Sequence, residues 1–241
     1  MRVMRIVMVL AIVVAVTIGM AVAQAPAGGQ GGGQRGPGAG GPGGPPAGGQ
    51  GGPGGGARAG GGQRGPAFNV TSPSFPDGGE VPLKHAGARG IGMNVSPQFD
   101  FHWYQAGGMM PADQPATVQS FAVVFHDIEN ATNRGTADTL HWTAFNIPAT
   151  AKGLPEGLGP GDLPDGTRNG PGISARGGAP GSYFGPGAGP GPFHHYVFEF
   201  YALDTKLDLP ATATREQLMA AMEGHVVGKA AYVGRFHSPA Q

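Results

Sequence analysis

From Phe68 onward the apolar residues of this chain recur mainly at every second position, in short runs parted by glycine, proline, asparagine and aspartate. That period belongs to a strand with one buried face, because successive strand side chains point to opposite sides. The runs are Phe68 to Val70, Phe99 to Tyr104, Ser120 to His126, Trp142 to Ile147, Tyr196 to Leu203 and Ala231 to Phe236. One helix is signalled after them in spacing rather than in strength. Thr214-Arg215-Glu216-Gln217 has the form of a capping box, and Leu218, Ala221, Met222 and Val226 follow at helical intervals. Together these predict a mainly β domain over residues 67–238, an antiparallel sheet sandwich with a C-terminal helix packed on it. About 170 residues is an ordinary size for one domain with one core.

The segment before that domain cannot build a core. The chain holds 48 glycines and 24 prolines, and most of the excess lies before residue 67. Between Pro26 and Pro66 there are almost no apolar side chains, so the entropy of ordering that stretch has nothing to oppose it. Residues 24–66 are therefore expected to form a disordered Gly/Pro/Gln-rich linker, roughly 35 Å in r.m.s. span for a flexible coil of about 40 residues. The first residues read as an address. Arg2 and Arg5 precede an apolar run from Ile6 to Met20, and Ala21-Val22-Ala23 supplies small residues ahead of Gln24. A cleaved signal peptide over residues 1–23 is expected, giving a secreted or periplasmic protein that meets the membrane only through its leader. The rival reading is a retained anchor, since the run approaches the length of a bilayer span. With no cysteine, the chain gains nothing from an oxidising compartment, and no lipid can be attached through a thiol.

Charge narrows the function. The formal net charge is zero and only 12% of residues are charged, so the basic field that nucleic-acid binding needs is missing. Polar residues collect instead where the alternating runs begin or stop. Asp127 follows the run that ends in His126, His141 opens the run that starts at Trp142, and His194 opens the one that contains Tyr196. His194 and Tyr196 are two apart on a strand, so an imidazole and a phenol share one wall. These residues suggest a binding pocket built from strand ends, although each histidine taken alone reads better as a satisfied structural residue. His195 and His126 alternate away from the pocket. The spacing favours no metal site, since neither His-x-His nor His-x-x-x-His occurs, and only convergence of Asp127, His141 and His194 in space could make one. No cofactor is implied. Neither a nucleophile elbow nor a phosphate loop is present in the sequence.

From Phe68 to Phe236 the chain resembles the phosphatidylethanolamine-binding protein family, in its bacterial Raf-kinase-inhibitor-like branch. The resemblance rests on the order of Thr71-Ser72-Pro73-Ser74-Phe75, Asn94-Val95-Ser96-Pro97, His126-Asp127, His141-Trp142, Asn146-Ile147-Pro148, Leu154-Pro155-Glu156-Gly157, Tyr183-Phe184-Gly185-Pro186, His194-His195-Tyr196, Tyr201-Ala202-Leu203-Asp204 and Glu223-Gly224-His225-Val226. It implies the same sandwich architecture. It also implies that Asp127, His141, His194 and Tyr196 line a small pocket for a phosphate-like anion, such as a phospholipid head group. The segment around Gly185 and Pro186 would fold back to rim that pocket, with Gly185 letting backbone approach the ligand. Two runs depart from the family pattern. Its Asp-Pro-Asp-Ala-Pro is here Asp127-Ile128-Glu129-Asn130-Ala131, without either proline, and its His-Arg-Tyr is His194-His195-Tyr196, which puts a titratable imidazole in place of a fixed charge. The resemblance implies a binding module rather than an enzyme. The alternative is a hydrolase acting on a phosphate-containing or ester substrate through Asp127, His141 and His194, and a protein partner is a third possibility.

Overall fold

The computed structural model describes residues 65–87, 91–132, 134–170, 172 and 181–240. The expected leader and nearly all of the expected linker lie outside the described residues, as does most of the span from Gly170 to Gly181. The strands among the described residues, in chain order, are β1 (Ala67–Thr71), β2 (Gly79–Glu80), β3 (Phe99–Tyr104), β4 (Ser120–Asp127), β5 (Thr139–Pro148), β6 (Gly153–Leu154), β7 (Arg168–Asn169), β8 (His194–Leu203) and β9 (Val226–Phe236), with a short 3-10 turn at Leu83–His85 and, between the last two strands, an α-helix, α1 (Arg215–Met222). They make two sheets. The smaller has the order β1-β3-β6 and the larger β2-β9-β8-β4-β5-β7. Pairing is antiparallel throughout except for β2, which runs parallel to β9.

Alternation decides which side chain enters which layer. Phe121, Val123 and Phe125 of β4 and Phe198 and Phe200 of β8 face the small sheet, where Phe68, Val70, Phe99 and Trp103 meet them in the main core. Phe125 and Phe198 are cross-strand partners whose rings stack at 3.8 Å. The residues between, Ala122 and Val124 on β4 and Tyr201 and Leu203 on β8, face the other way and pack with Leu207, Leu218 and Met222 in a second core beneath α1. Burying each such large apolar side chain contributes about 1.5–3 kcal/mol, which is why β4, the strand between β5 and β8, is buried along its whole length. Gly228 of β9 lets the two sheets close up, because a Cβ there would lie 2.8 Å from the Phe68 side chain and 3.0 Å from the Trp103 ring.

The helix begins as its sequence predicts. The Thr214 hydroxyl accepts from the Gln217 amide and the Gln217 side chain accepts from the Thr214 amide. It ends earlier than the spacing suggests, at Met222. Gly224 has φ of 80°, which breaks the helix, and Val226 opens β9 instead of extending the helical stripe. The connection from Ala149 to Phe193 also contains more order than its composition indicates. Leu154 is a strand residue that pairs with Phe99, and Arg168 and Asn169 pair with Phe145 and Ala144 at the open edge of β5.

Candidate functional site

Strand register brings the polar residues together at one end of the large sheet. Asp127 ends β4 directly opposite Tyr196 on β8, so carboxylate and phenol share a face, and His194 lies two residues earlier on that face. The His194 Nδ1–H donates to both oxygens of Asp127, at 2.8 Å to Oδ2 and 3.1 Å to Oδ1. Asp127 is 3% exposed and also accepts from the Glu129 backbone amide at 3.1 Å, so the carboxylate is held from two sides.

His141 reaches the same place by a different device. Between Phe125 and His126 the pairing on β5 jumps from Trp142 to Leu140, which leaves His141 as the extra residue of a β-bulge. The bulge turns two consecutive side chains inward, Trp142 into the main core and His141 against Phe125 and Tyr196, with ring centroids 5.2 Å away in each case. The Nδ1–H of His141 donates to the Phe184 carbonyl at 2.9 Å, which fixes the ring and ties the loop before β8 to the sheet.

That loop forms the remaining wall. Asn94, in the left-handed region at φ 55°, donates from Nδ2 to the Tyr183 carbonyl at 3.0 Å and accepts from the Gly185 amide at 2.8 Å. The Tyr196 phenol oxygen accepts from the amides of Gly187 at 3.2 Å and Ala188 at 3.0 Å. Burial, and then the charge of Asp127, push the Tyr196 phenol far above its ordinary value, so it stays neutral. The result is a pocket of about 160 Å³ lined by Asp127, Asn130, His141, Phe184, Gly187, Ala188, Gly189, His194 and Tyr196. A larger cleft of about 320 Å³ opens beside β3 and residues 111–114, but its histidine, His102, is engaged by the Thr71 hydroxyl at 2.8 Å.

The structure thus gathers Asp127, His141, His194 and Tyr196, and leaves Gly185 and Pro186 off the lining. The expected reason for Gly185 is corrected: a Cβ there would stand 1.9 Å from the His85 carbonyl oxygen, so the glycine serves close approach to the chain's own backbone rather than to a ligand. Asn130 and the Gly187 to Gly189 backbone are lining residues that the sequence did not single out. For Asn130 the available signal was its place three residues after Asp127 in the altered run. His195 points out and pairs with Glu129, its Nδ1 2.6 Å from Oε1 while its amide donates to Oε2 at 2.7 Å. Burial raises the Glu129 carboxyl, but these bonds from His195 outweigh it and hold the acid below its usual value. One ligand atom each of Asp127, Glu129 and His194 lie within 4.8 Å of one another, the group among the described residues that could surround a cation. In this structure their oxygens are engaged by the two histidines and by the backbone.

A sequence model of the phosphatidylethanolamine-binding protein family matches residues 71–237. The UPF0098 protein of Methanothermobacter thermautotrophicus is 34% identical over 170 residues, which span 70% of this chain and 98% of that protein. Among solved structures, YbcL of Escherichia coli superposes with a TM-score of 0.58 at 25% identity, covering 71% of this chain and 99% of that one. A homologue of the same kind from Chlamydia trachomatis, CT736, superposes with a TM-score of 0.57 at 26% identity over 72% of this chain and 99% of its own.

Proposed function

Since the chain belongs to the phosphatidylethanolamine-binding protein family, we propose that it is an exported binding protein whose pocket holds a small oxyanion, a free phosphate or the phosphate of a lipid head group. The observation that carries this reading is the Asp127–His194 pair at the pocket wall. With Nδ1–H committed to the carboxylate, the imidazole has Nε2 left for a ligand, and a doubly protonated ring donates from both nitrogens while carrying a charge. His141 lines the same small space. A volume of about 160 Å³ suits a head group rather than a whole lipid, whose chains would remain outside.

The hydrolytic alternative gains no support from this geometry. The one hydroxyl among the described lining residues belongs to Tyr196, which is fully buried and held neutral, a poor nucleophile. Export rests on the sequence alone, on Arg2, Arg5, the apolar run and Ala21-Val22-Ala23.

Calorimetry with orthophosphate and phosphoethanolamine tests the pocket. His194→Ala removes one charge-assisted donor and is expected to weaken binding by about 1.5–3 kcal/mol. His195→Ala, on the outer side of the strand, is expected to change it little. Equal affinity in the wild type and in His194→Ala would overturn the assignment.

A further inference from the structure

Asp127 is an unexpected wall for an anion. Its carboxylate is nine-tenths buried or more, lines the same space as His141 and His194, and is joined among the described lining residues by no lysine or arginine. When His194 carries its second proton, the pair sums to no net charge. A ligand with one negative charge then meets a neutral wall of donors. A ligand with two brings an uncompensated charge close to a buried carboxylate, where the low dielectric leaves repulsion weakly screened. The groups around the pair deepen this asymmetry. Glu129 adds a second carboxylate beside His194, hydrogen-bonded to His195, and the Tyr196 phenol contributes only a neutral hydroxyl.

We propose that Asp127 is a specificity-determining residue that makes the pocket selective for singly charged oxyanions, phosphodiesters and protonated phosphomonoesters, against dianions. A protonated phosphate oxygen can also donate to a carboxylate, whereas a fully ionised one cannot. The selectivity rests on the anion-binding reading above and gives that site its ligand class.

The test compares two probes that share an ammonium group and differ at phosphorus. Glycerophosphoethanolamine is a diester, singly charged at phosphorus at every relevant pH, and stands for a lipid head group. Phosphoethanolamine is a monoester that loses its second proton near pH 6 and stands for free phosphate. Calorimetry on the full chain near pH 5 is expected to give similar affinities for the two. Near pH 8 the monoester should bind about tenfold or more weakly relative to the diester, because only its charge has changed. The diester measured at both pH values reports what the protein's own histidines contribute. Sulfate, a dianion at both, should bind more weakly than the diester at both. In Asp127→Asn, whose amide oxygen still accepts from the Glu129 amide, the gap near pH 8 should close. Monoester or sulfate binding near pH 8 as tightly as the diester, or a gap unchanged in Asp127→Asn, would overturn the inference. The wild-type comparison decides it even where the variant folds poorly. Failure of all three probes to bind would instead remove the anion-binding reading itself, and this inference with it.

Discussion

At the scale of single residues, Tyr196 shows how a side chain at this site can be structural and functional at once. Its ring is fully buried against His141 and Phe125, while its oxygen is the acceptor for two amides of the loop that closes the pocket. Tyr196→Phe keeps the ring and removes the acceptor. Two buried or half-buried N–H groups then lose their partner, and a stability loss of about 1–3 kcal/mol in urea denaturation is expected. Exchange of the Gly187 and Ala188 amides with solvent should accelerate more than exchange in β4, which separates release of the loop from global unfolding. His195 is the contrasting case. One residue away from His194, it faces outward to Glu129, so adjacency in sequence carries no adjacency in the pocket.

At the scale of elements, what the sequence revealed and what it hid follow from the length of each pattern. The six long strands were legible because each gives its alternation several residues in which to show. A strand of two residues such as β2, β6 or β7 has no period, and its pairing is dictated by the partner it lies against. The bulge at His141 was hidden for a related reason: strict alternation sends His141 and Trp142 to opposite faces, and only the register with β4 shows both turned inward. Asn146, at φ 55° in a second irregularity of β5, is locked by exchanging hydrogen bonds with the Leu207 backbone in both directions. The attachment of α1 supplies a pH-dependent test. Asp138, just before β5, accepts from Arg215 at the start of α1 and from His126 Nδ1 at 2.5 Å. Burial raises the Asp138 carboxyl, but the bonds from Arg215 and His126 more than offset it, so its folded value lies below 3.8. A depressed folded value means stability that is present above the unfolded value and lost as pH falls through the folded one. Asp138→Asn should therefore cost about 1 kcal/mol at neutral pH. The difference from the parent should shrink on acidification below about pH 4, as read from urea midpoints across that range.

At the scale of the whole molecule, the site stands where the sandwich ends. Asp127 closes β4, His194 opens β8, and the loop from Tyr183 to Gly189 crosses between them under the hold of Asn94 and Tyr196. Rigid strands thus carry the hydrogen-bonded Asp127–His194 pair, and a loop supplies the rest of the wall, which is why the pair was legible from alternating runs and the loop contacts were not. Both cores are made from residues between Phe68 and Phe236 among those described, and the main one joins the two sheets. That segment has almost no apolar side chains to add. A chain beginning at residue 67 is therefore expected to melt within a few degrees of one beginning at Gln24. In a domain of this size about 1 kcal/mol corresponds to roughly 2–4 °C, so a fall of about 5 °C or more in scanning calorimetry would mean that the Gly/Pro segment packs on the domain and contributes to its stability.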